Sequence, residues 1–143
     1  MELNQVIYDA IHDILPTAEV VKIPVADGGE GWVDALMPVL GGEWITCWVE
    51  DPLGNPVQAS YAWVEETKTA VIEMAAASGI SLIPWKEGNV MYTTTKGTGE
   101  LIADALERGC KRIWLGIGGS ATNDAGIGML QALGFHFRDK DGQ

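Results

Sequence analysis

The stretch from Lys111 to Gly134, KRIWLGIGGSATNDAGIGMLQALG, constrains this chain more than any other. Ile113, Trp114, Leu115 and Ile117 form a short apolar run rich in β-branched and aromatic residues. That composition predicts a strand covered on both faces, as in a parallel sheet. Gly116, Gly118 and Gly119 then let the backbone turn sharply. Ser120, Thr122, Asn123 and Asp124 crowd hydroxyls, an amide and a carboxylate onto the turn. Ile127, Leu130 and Leu133 follow at helical spacing, and Gly134 is placed to stop the helix. A strand, a glycine-rich turn and a helix N-terminus in succession offer N–H groups and a positive dipole end to a phosphate or a carboxylate.

Two further turns have the same character. Ala26-Asp27-Gly28-Gly29-Glu30-Gly31 follows the expected strand Glu19 to Val25. It precedes a helix through Trp32, Val33, Leu36 and Leu40 that ends at Gly41-Gly42. Pro38 sits awkwardly in that helix, since an interior proline costs about 3 kcal/mol, so a kink or an earlier end is expected. Thr94-Thr95-Lys96-Gly97-Thr98-Gly99-Glu100 opens a helix carrying Leu101, Ile102, Ala105 and Leu106, stopped by Gly109. In parallel α/β architecture such turns gather at the carboxyl ends of strands, where ligands bind.

The remainder fills in around these turns. Leu3, Val6, Ile7, Ala10, Ile11 and Ile14 recur at helical spacing, with Glu2, Gln5, Asp9 and Asp13 opposite and Pro16 closing the helix. Glu43 to Glu50 and Val57 to Val64 read as strands around Asp51-Pro52-Leu53-Gly54-Asn55-Pro56, and Ala70 to Glu73 as a third. Short loops favour antiparallel pairing there. Trp44, Trp48, Tyr61 and Trp63 alternate as cross-strand packing rather than a base-stacking platform. Met74 to Ser78 suits one helical turn, Ile80 to Trp85 leads into a loop, and Phe135 to Arg138 starts a last strand before the turn residues Asp139 to Gly142. The fold class is α/β: a mostly parallel sheet flanked by helices, with an antiparallel hairpin portion.

At 143 residues the chain suits one domain with a real core. Yet it begins on a helix with no preceding strand and stops inside a hairpin-type turn, so a larger unit is expected. Residues to about 85 read as part of a first α/β domain, and those from about 90 as the start of a second α/β segment. A net charge of −11 argues against nucleic acid as a partner. An anionic guest then needs local help from N–H groups, a lysine or a divalent metal. Cys47 and Cys110 lack metal-like spacing and read as reduced thiols of a cytoplasmic protein. No signal peptide and no membrane span is read.

The chemistry that fits is phosphoryl transfer: N–H donors around phosphates, a carboxylate-held Mg²⁺, and a carboxylate to orient or deprotonate an acceptor hydroxyl. Asp27, Glu30, Asp124 and Glu73 are candidates for the acidic roles. Taken singly, each reads first as a helix-capping or solvated acid. Lys96 is a candidate for neutralising phosphate, and Ser120 and Thr122 for binding its oxygens. No Walker A pattern is present. Gly116-x-Gly118-x-x-Ala121 matches a loose dinucleotide pattern with Asp139 downstream. The polar turn runs on through Asp124, however, so a dinucleotide-binding domain ranks second.

Four segments together resemble a known family: Pro24 to Gly31 (PVADGGEG), Ile72 to Gly79 (IEMAAASG), Thr94 to Ile102 (TTKGTGELI) and Gly116 to Asp124 (GIGGSATND). In order and spacing they resemble the bacterial glycerate kinases, and more closely the type I glycerate 2-kinases. The resemblance implies ATP-dependent phosphorylation of glycerate with Mg²⁺, on a two-domain α/β fold of which this chain is an incomplete, N-terminal part. It implies a cleft walled by Asp27 to Gly31 and Gly118 to Asp124. Asp27 and Asp124 would then be catalytic. Gly28, Gly29, Glu30, Thr95, Lys96, Gly97, Thr98, Gly118, Gly119, Ser120, Thr122 and Asn123 would receive substrate and phosphate, and Asp124 and Glu30 would hold metal.

Three departures from the family stand out. A first strand ending in Asp-Ser-aromatic-Lys is missing, as is the long remainder after Gln143, and Ala125 occupies a usual glycine position. The expectation is a chain of doubtful independent activity. The alternative is a non-catalytic fragment that self-associates through its unpaired sheet position.

Overall fold

The computed structural model describes residues 2–84 and 89–142. The fold is mixed α/β. Helix α1 (Glu2–Ile14) is followed by α2 (Trp32–Leu40), β1 (Glu43–Glu50), β2 (Pro56–Val64), β3 (Thr69–Glu73), the short α3 (Ala75–Ser78) and a 3-10 turn (Ile80–Leu82). Then come α4 (Lys96–Glu107), β4 (Arg112–Gly116) and α5 (Ile127–Ala132). Trp85, expected to lead into a loop, lies outside the described residues.

One sheet has the order β1-β2-β3-β4. β1/β2 and β2/β3 are antiparallel and β3/β4 parallel. The α/β class and the antiparallel hairpin are as expected, but the balance differs. Antiparallel pairs outnumber the parallel one among the described residues, because short turns join β1, β2 and β3 and only the α4 crossover delivers a parallel neighbour. β4, from beyond residue 90, joins the same sheet as the strands before residue 85.

Successive side chains of the strands point to opposite faces of the sheet. Tyr61, Trp63, Ala70 and Ile72 face Leu101, Ile102 and Ala105 of α4, forming the main core. Ala62 and Val71 face the other way and pack under Val33 of α2, with Leu36 and Met37 beside it. β3 is therefore covered on both faces. The four aromatics of the hairpin do not share one face. The register pairs Ile45 with Tyr61 and Trp44 with Ala62, so odd and even positions part company. Tyr61 and Trp63 are buried, whereas Trp44 and Trp48 lie on the opposite side and are exposed.

Three expectations are corrected. Glu19 to Val25 is not a strand among the described residues: no neighbour accepts its ladder bonds, and Val21, Ile23 and Val25 stand exposed. Phe135 to Arg138 forms no strand either. β4 is not covered on both faces as its composition suggested, since it lies at the sheet edge and Trp114 is exposed. Helix α2 meanwhile runs through Pro38 to Leu40. The bond that Pro38 removes is to the carbonyl of exposed Asp34, in the last turns, where water can serve instead.

Candidate active site: three turns tied by carboxylates

The turn after β4 is the hub. Gly118 N donates to Gly28 O (3.0 Å), which joins it to the Asp27–Gly31 turn before α2. The two backbones touch: a Cβ on Gly118 would come within 2.7 Å of Gly29 N, so this approach requires glycine. Asp124 joins the hub to the third turn. Its Oδ2 accepts from Thr95 N (2.8 Å), Thr95 Oγ1 (2.9 Å) and Gly128 N (3.1 Å), and its Oδ1 from Gly126 N (3.1 Å). Thr95 Oγ1 in turn accepts from Met129 N (2.9 Å). One carboxylate and one buried hydroxyl thus satisfy the opening amides of α5 and fix the entry to α4. Burial pushes the Asp124 carboxyl up, but the donors of Thr95, Gly128 and Gly126 outweigh it and hold its pKa below the ordinary aspartate value.

Glu73 does the same at the first turn. At the end of β3, its Oε1 accepts from Val33 N (2.6 Å) and its Oε2 from Gly31 N (3.3 Å), capping α2 from 40 residues away in sequence. Asp27 Oδ1 accepts from Gly29 N (3.0 Å) within its own turn. Asp27 and Glu30 are exposed and line a shallow recess with Val25 and Ala26.

The expected residues therefore divide. Gly28, Gly29, Gly118 and Gly119 come together where the first turn meets the hub. Ser120 and Thr122 hydroxyls pair at 2.8 Å beside exposed Asn123, and with Thr95 and Asp124 they line a cavity of about 380 Å³. Lys96, Gly97 and Thr98 are turned elsewhere. The Lys96 ammonium pairs with Glu50 and lies 3.8 Å from Glu100. Gly97 is buried against the Glu50 carbonyl and Ala77, and Thr98 Oγ1 bonds Ser78 Oγ (2.8 Å) in the interior. Among the described residues, no three His, Cys, Asp or Glu side chains gather into a metal-ligand cluster. The lone pairs of Asp124 are committed to N–H and O–H donors. Asp27 and Glu30 retain the exposure that a cation bound by one or two carboxylates, waters and phosphate oxygens needs.

Sequence reasoning missed a second cavity, about 380 Å³, lined by Ile80, Ile83, Pro84 and Val90 with Ser120, Ala121 and Thr122. The signal was present as a mostly apolar run, Ile80 to Pro84, of which only the 3-10 turn Ile80–Leu82 is regular structure.

Comparison with known proteins sets this arrangement in a family. The model of the glycerate kinase family matches residues 1–143. The chain is 51% identical over its whole length to a glycerate kinase of Bacillus cereus and 50% identical over 141 residues to the glycerate 2-kinase of Escherichia coli K12. It spans 38% and 37% of those two proteins. A crystal structure of a protein assigned as glycerate kinase 2 from Salmonella typhimurium LT2 superposes with a TM-score of 0.78 at 46% identity, over 95% of this chain and 36% of that one. No helix among the described residues is long and apolar enough to cross a membrane. With half of its residues shared and its entire length matched, this chain belongs to the glycerate kinase family.

Proposed function

We propose that this chain forms one wall of an active cleft in which ATP phosphorylates a hydroxyl of glycerate. The observation that carries the reading is the convergence of three glycine-rich turns on residues 116–124, through the Gly118–Gly28 bond and the Asp124–Thr95 bonds. In this reading Ser120, Thr122 and Asn123, with the backbone at Gly28, Gly29, Gly118 and Gly119, receive phosphate or carboxylate oxygens. Asp27 orients the acceptor hydroxyl and takes its proton. Glu30 would hold Mg²⁺, which would supply charge neutralisation at the transferring phosphate. Asp124 acts through the turn that it ties down, and Thr95 through Asp124. Lys96, Gly97 and Thr98 support α4 rather than touch substrate. The −11 charge makes the local donors necessary, because the long-range field repels both substrates.

The test uses a chimera in which residues 1–143 replace the matching 37% of the E. coli relative. ATP-dependent consumption of glycerate is expected, and Asp27→Asn lowers kcat by about a hundredfold or more, the usual yield of a general base. An Asp27→Asn chimera within a few-fold of the parent removes Asp27 from the chemistry. A chimera that unfolds cooperatively but never consumes glycerate rejects the reading.

A second reading, self-association, draws on uncovered apolar surface: the stripe of α1 and the outer edge of β4 beside exposed Trp114. Light scattering across a dilution series tests it. A constant monomer mass dismisses it.

A further inference from the structure

We infer that Glu73 is a positioning residue for the phosphoryl transfer: from the end of the sheet it holds the Asp27–Gly31 turn, and through that turn Asp27, in place against the Ser120–Thr122 hydroxyls. This rests on the kinase reading and gives a task to an acid that the reaction does not consume.

Glu73 closes β3, and in the parallel register it stands beside Gly116, the last residue of β4. Met74 N donates to Gly116 O (2.8 Å), which locks the two strand ends together. Both sides of the candidate site are built from that pair. On one side the chain leaves Gly116 and runs directly into the turn that carries Ser120 and Thr122. On the other, half-buried Glu73 reaches out of the sheet and takes Gly31 N and Val33 N on its two carboxylate oxygens. The turn is also pressed onto the strand ends. A Cβ on Gly116 would come within 2.5 Å of Gly28 O and 2.7 Å of the Trp32 ring.

From the start of α2 the hydrogen bonds lead back to the candidate base. Trp32 N donates to Gly29 O (3.1 Å), and Gly29 N donates to Asp27 Oδ1 (3.0 Å). Gly29 is thus held by α2 at one end and aims the Asp27 carboxylate at the other, so a shift of the α2 start carries Asp27 with it. A Ser or Asp at the N-cap could satisfy the α2 amides locally, but that position is Gly31, at φ +82°, with no side chain to offer. A local cap would also travel with the helix. A carboxylate from the sheet instead ties the helix to the strand ends, and a misplacement of about 1 Å at a reacting group can cost on the order of a hundredfold in rate.

The test has two arms. In the first, the chimera carries Glu73→Gln and is assayed at a temperature where urea curves show every variant folded. kcat is expected to fall about tenfold, with KM for glycerate and for ATP within about twofold. The double variant with Asp27→Asn is expected to match Asp27→Asn alone, because residues that act as one unit do not add. A Glu73→Gln chimera at the parent's rate, or losses that multiply in the double variant, overturns the inference: a helix cap alone lowers stability and leaves the kcat of the folded enzyme in place. In the second arm, amide hydrogen exchange is followed in the 143-residue chain. Glu73→Gln is expected to speed exchange at Gly29, whose N–H faces Asp27, about tenfold while Thr95, whose N–H faces Asp124, is unchanged. An unchanged Gly29, or equal acceleration at both amides, overturns the inference. Glu73→Asp, which keeps the charge but stops one methylene short, replaces the Gln variant in both arms if that variant does not fold, with the same outcomes expected. The two readings fail separately. A slow Asp27→Asn chimera beside a Glu73→Gln chimera at the parent's rate rejects the inference alone. A chimera that never consumes glycerate rejects the kinase reading, and the exchange arm still decides whether Glu73 holds the turn.

Discussion

Asp124 gathers four hydrogen-bond donors from Thr95, Gly126 and Gly128 onto one carboxylate. Such a group is a fastener whose strength depends on its charge. Because the bonds hold its folded pKa below the unfolded value, near 3.9, its stabilisation is complete above that value and is lost as pH falls through the folded one. Asp124→Asn would point N–H at N–H. At neutral pH it should lower stability by about 1–2 kcal/mol, and the acid limb of stability against pH should become shallower than in the parent. Urea unfolding from neutral to acid pH measures both, and parallel acid limbs reject the role. The next residue carries a separate strain. Ala125 has φ +52°, a left-handed conformation that costs a residue with a Cβ about 1–2 kcal/mol. Glycine there gives back roughly 0.5–1 kcal/mol in unfolded-chain entropy. Ala125→Gly should therefore raise stability by about 0.5–1 kcal/mol, read as a Tm increase of roughly 2 °C. A lower Tm means that the turn gains something from the methyl group. The sequence placed Asp124 in the right turn but did not disclose its duty, because a carboxylate facing solvent and one facing four donors are spelled alike.

At the scale of elements, three of the four strands among the described residues bring their own partners, and β4 reaches β3 only across α4. β1 and β2 carry their pairing in the Pro52-Leu53-Gly54-Asn55-Pro56 turn, and β3 follows within a few residues, so local pattern sufficed. Glu19 to Val25 has comparable β-forming composition but no strand beside it, and strand propensity without a ladder yields an irregular, largely exposed segment. Helix openings left two readings, N–H groups open to a ligand or N–H groups capped by an acid. Glu73 occupies those of α2 and Asp124 with Thr95 those of α5. The 40 residues between Glu73 and Val33 hide that pairing from any local reading. Glu73→Gln retains one acceptor but turns an amide N–H toward the other donor and removes the charge that faces the α2 dipole. A loss of about 1–2 kcal/mol is expected, seen as a lower urea midpoint with an unchanged m-value. A midpoint equal to that of the parent denies Glu73 its part as the α2 cap.

Across the whole molecule, stability should be uneven. β2 and β3 lie between α4 on one face and α2 on the other, with Tyr61, Ala70, Val71 and Ile72 fully buried. Helix α1 has no such cover: Leu3 is 70%, Val6 62% and Ile14 79% exposed. Among the described residues Lys22 bonds Gln5 (2.8 Å) and lies over the Tyr8 ring, which stacks on His12 of the same helix. A 13-residue helix without a packed apolar face is marginal in water. The amides of α1 should therefore exchange with solvent through local opening at close to zero free energy, while those of Ala70 to Ile72 await global unfolding. Hydrogen exchange on a dilute sample should separate the two by several orders of magnitude in rate. Repeating it at high concentration adds a second reading. If copies cover the apolar stripe of α1, its protection rises with concentration while that of β3 stays fixed. If α1 is as slow as β3 even when dilute, the stripe is covered within a single chain and self-association through it is rejected.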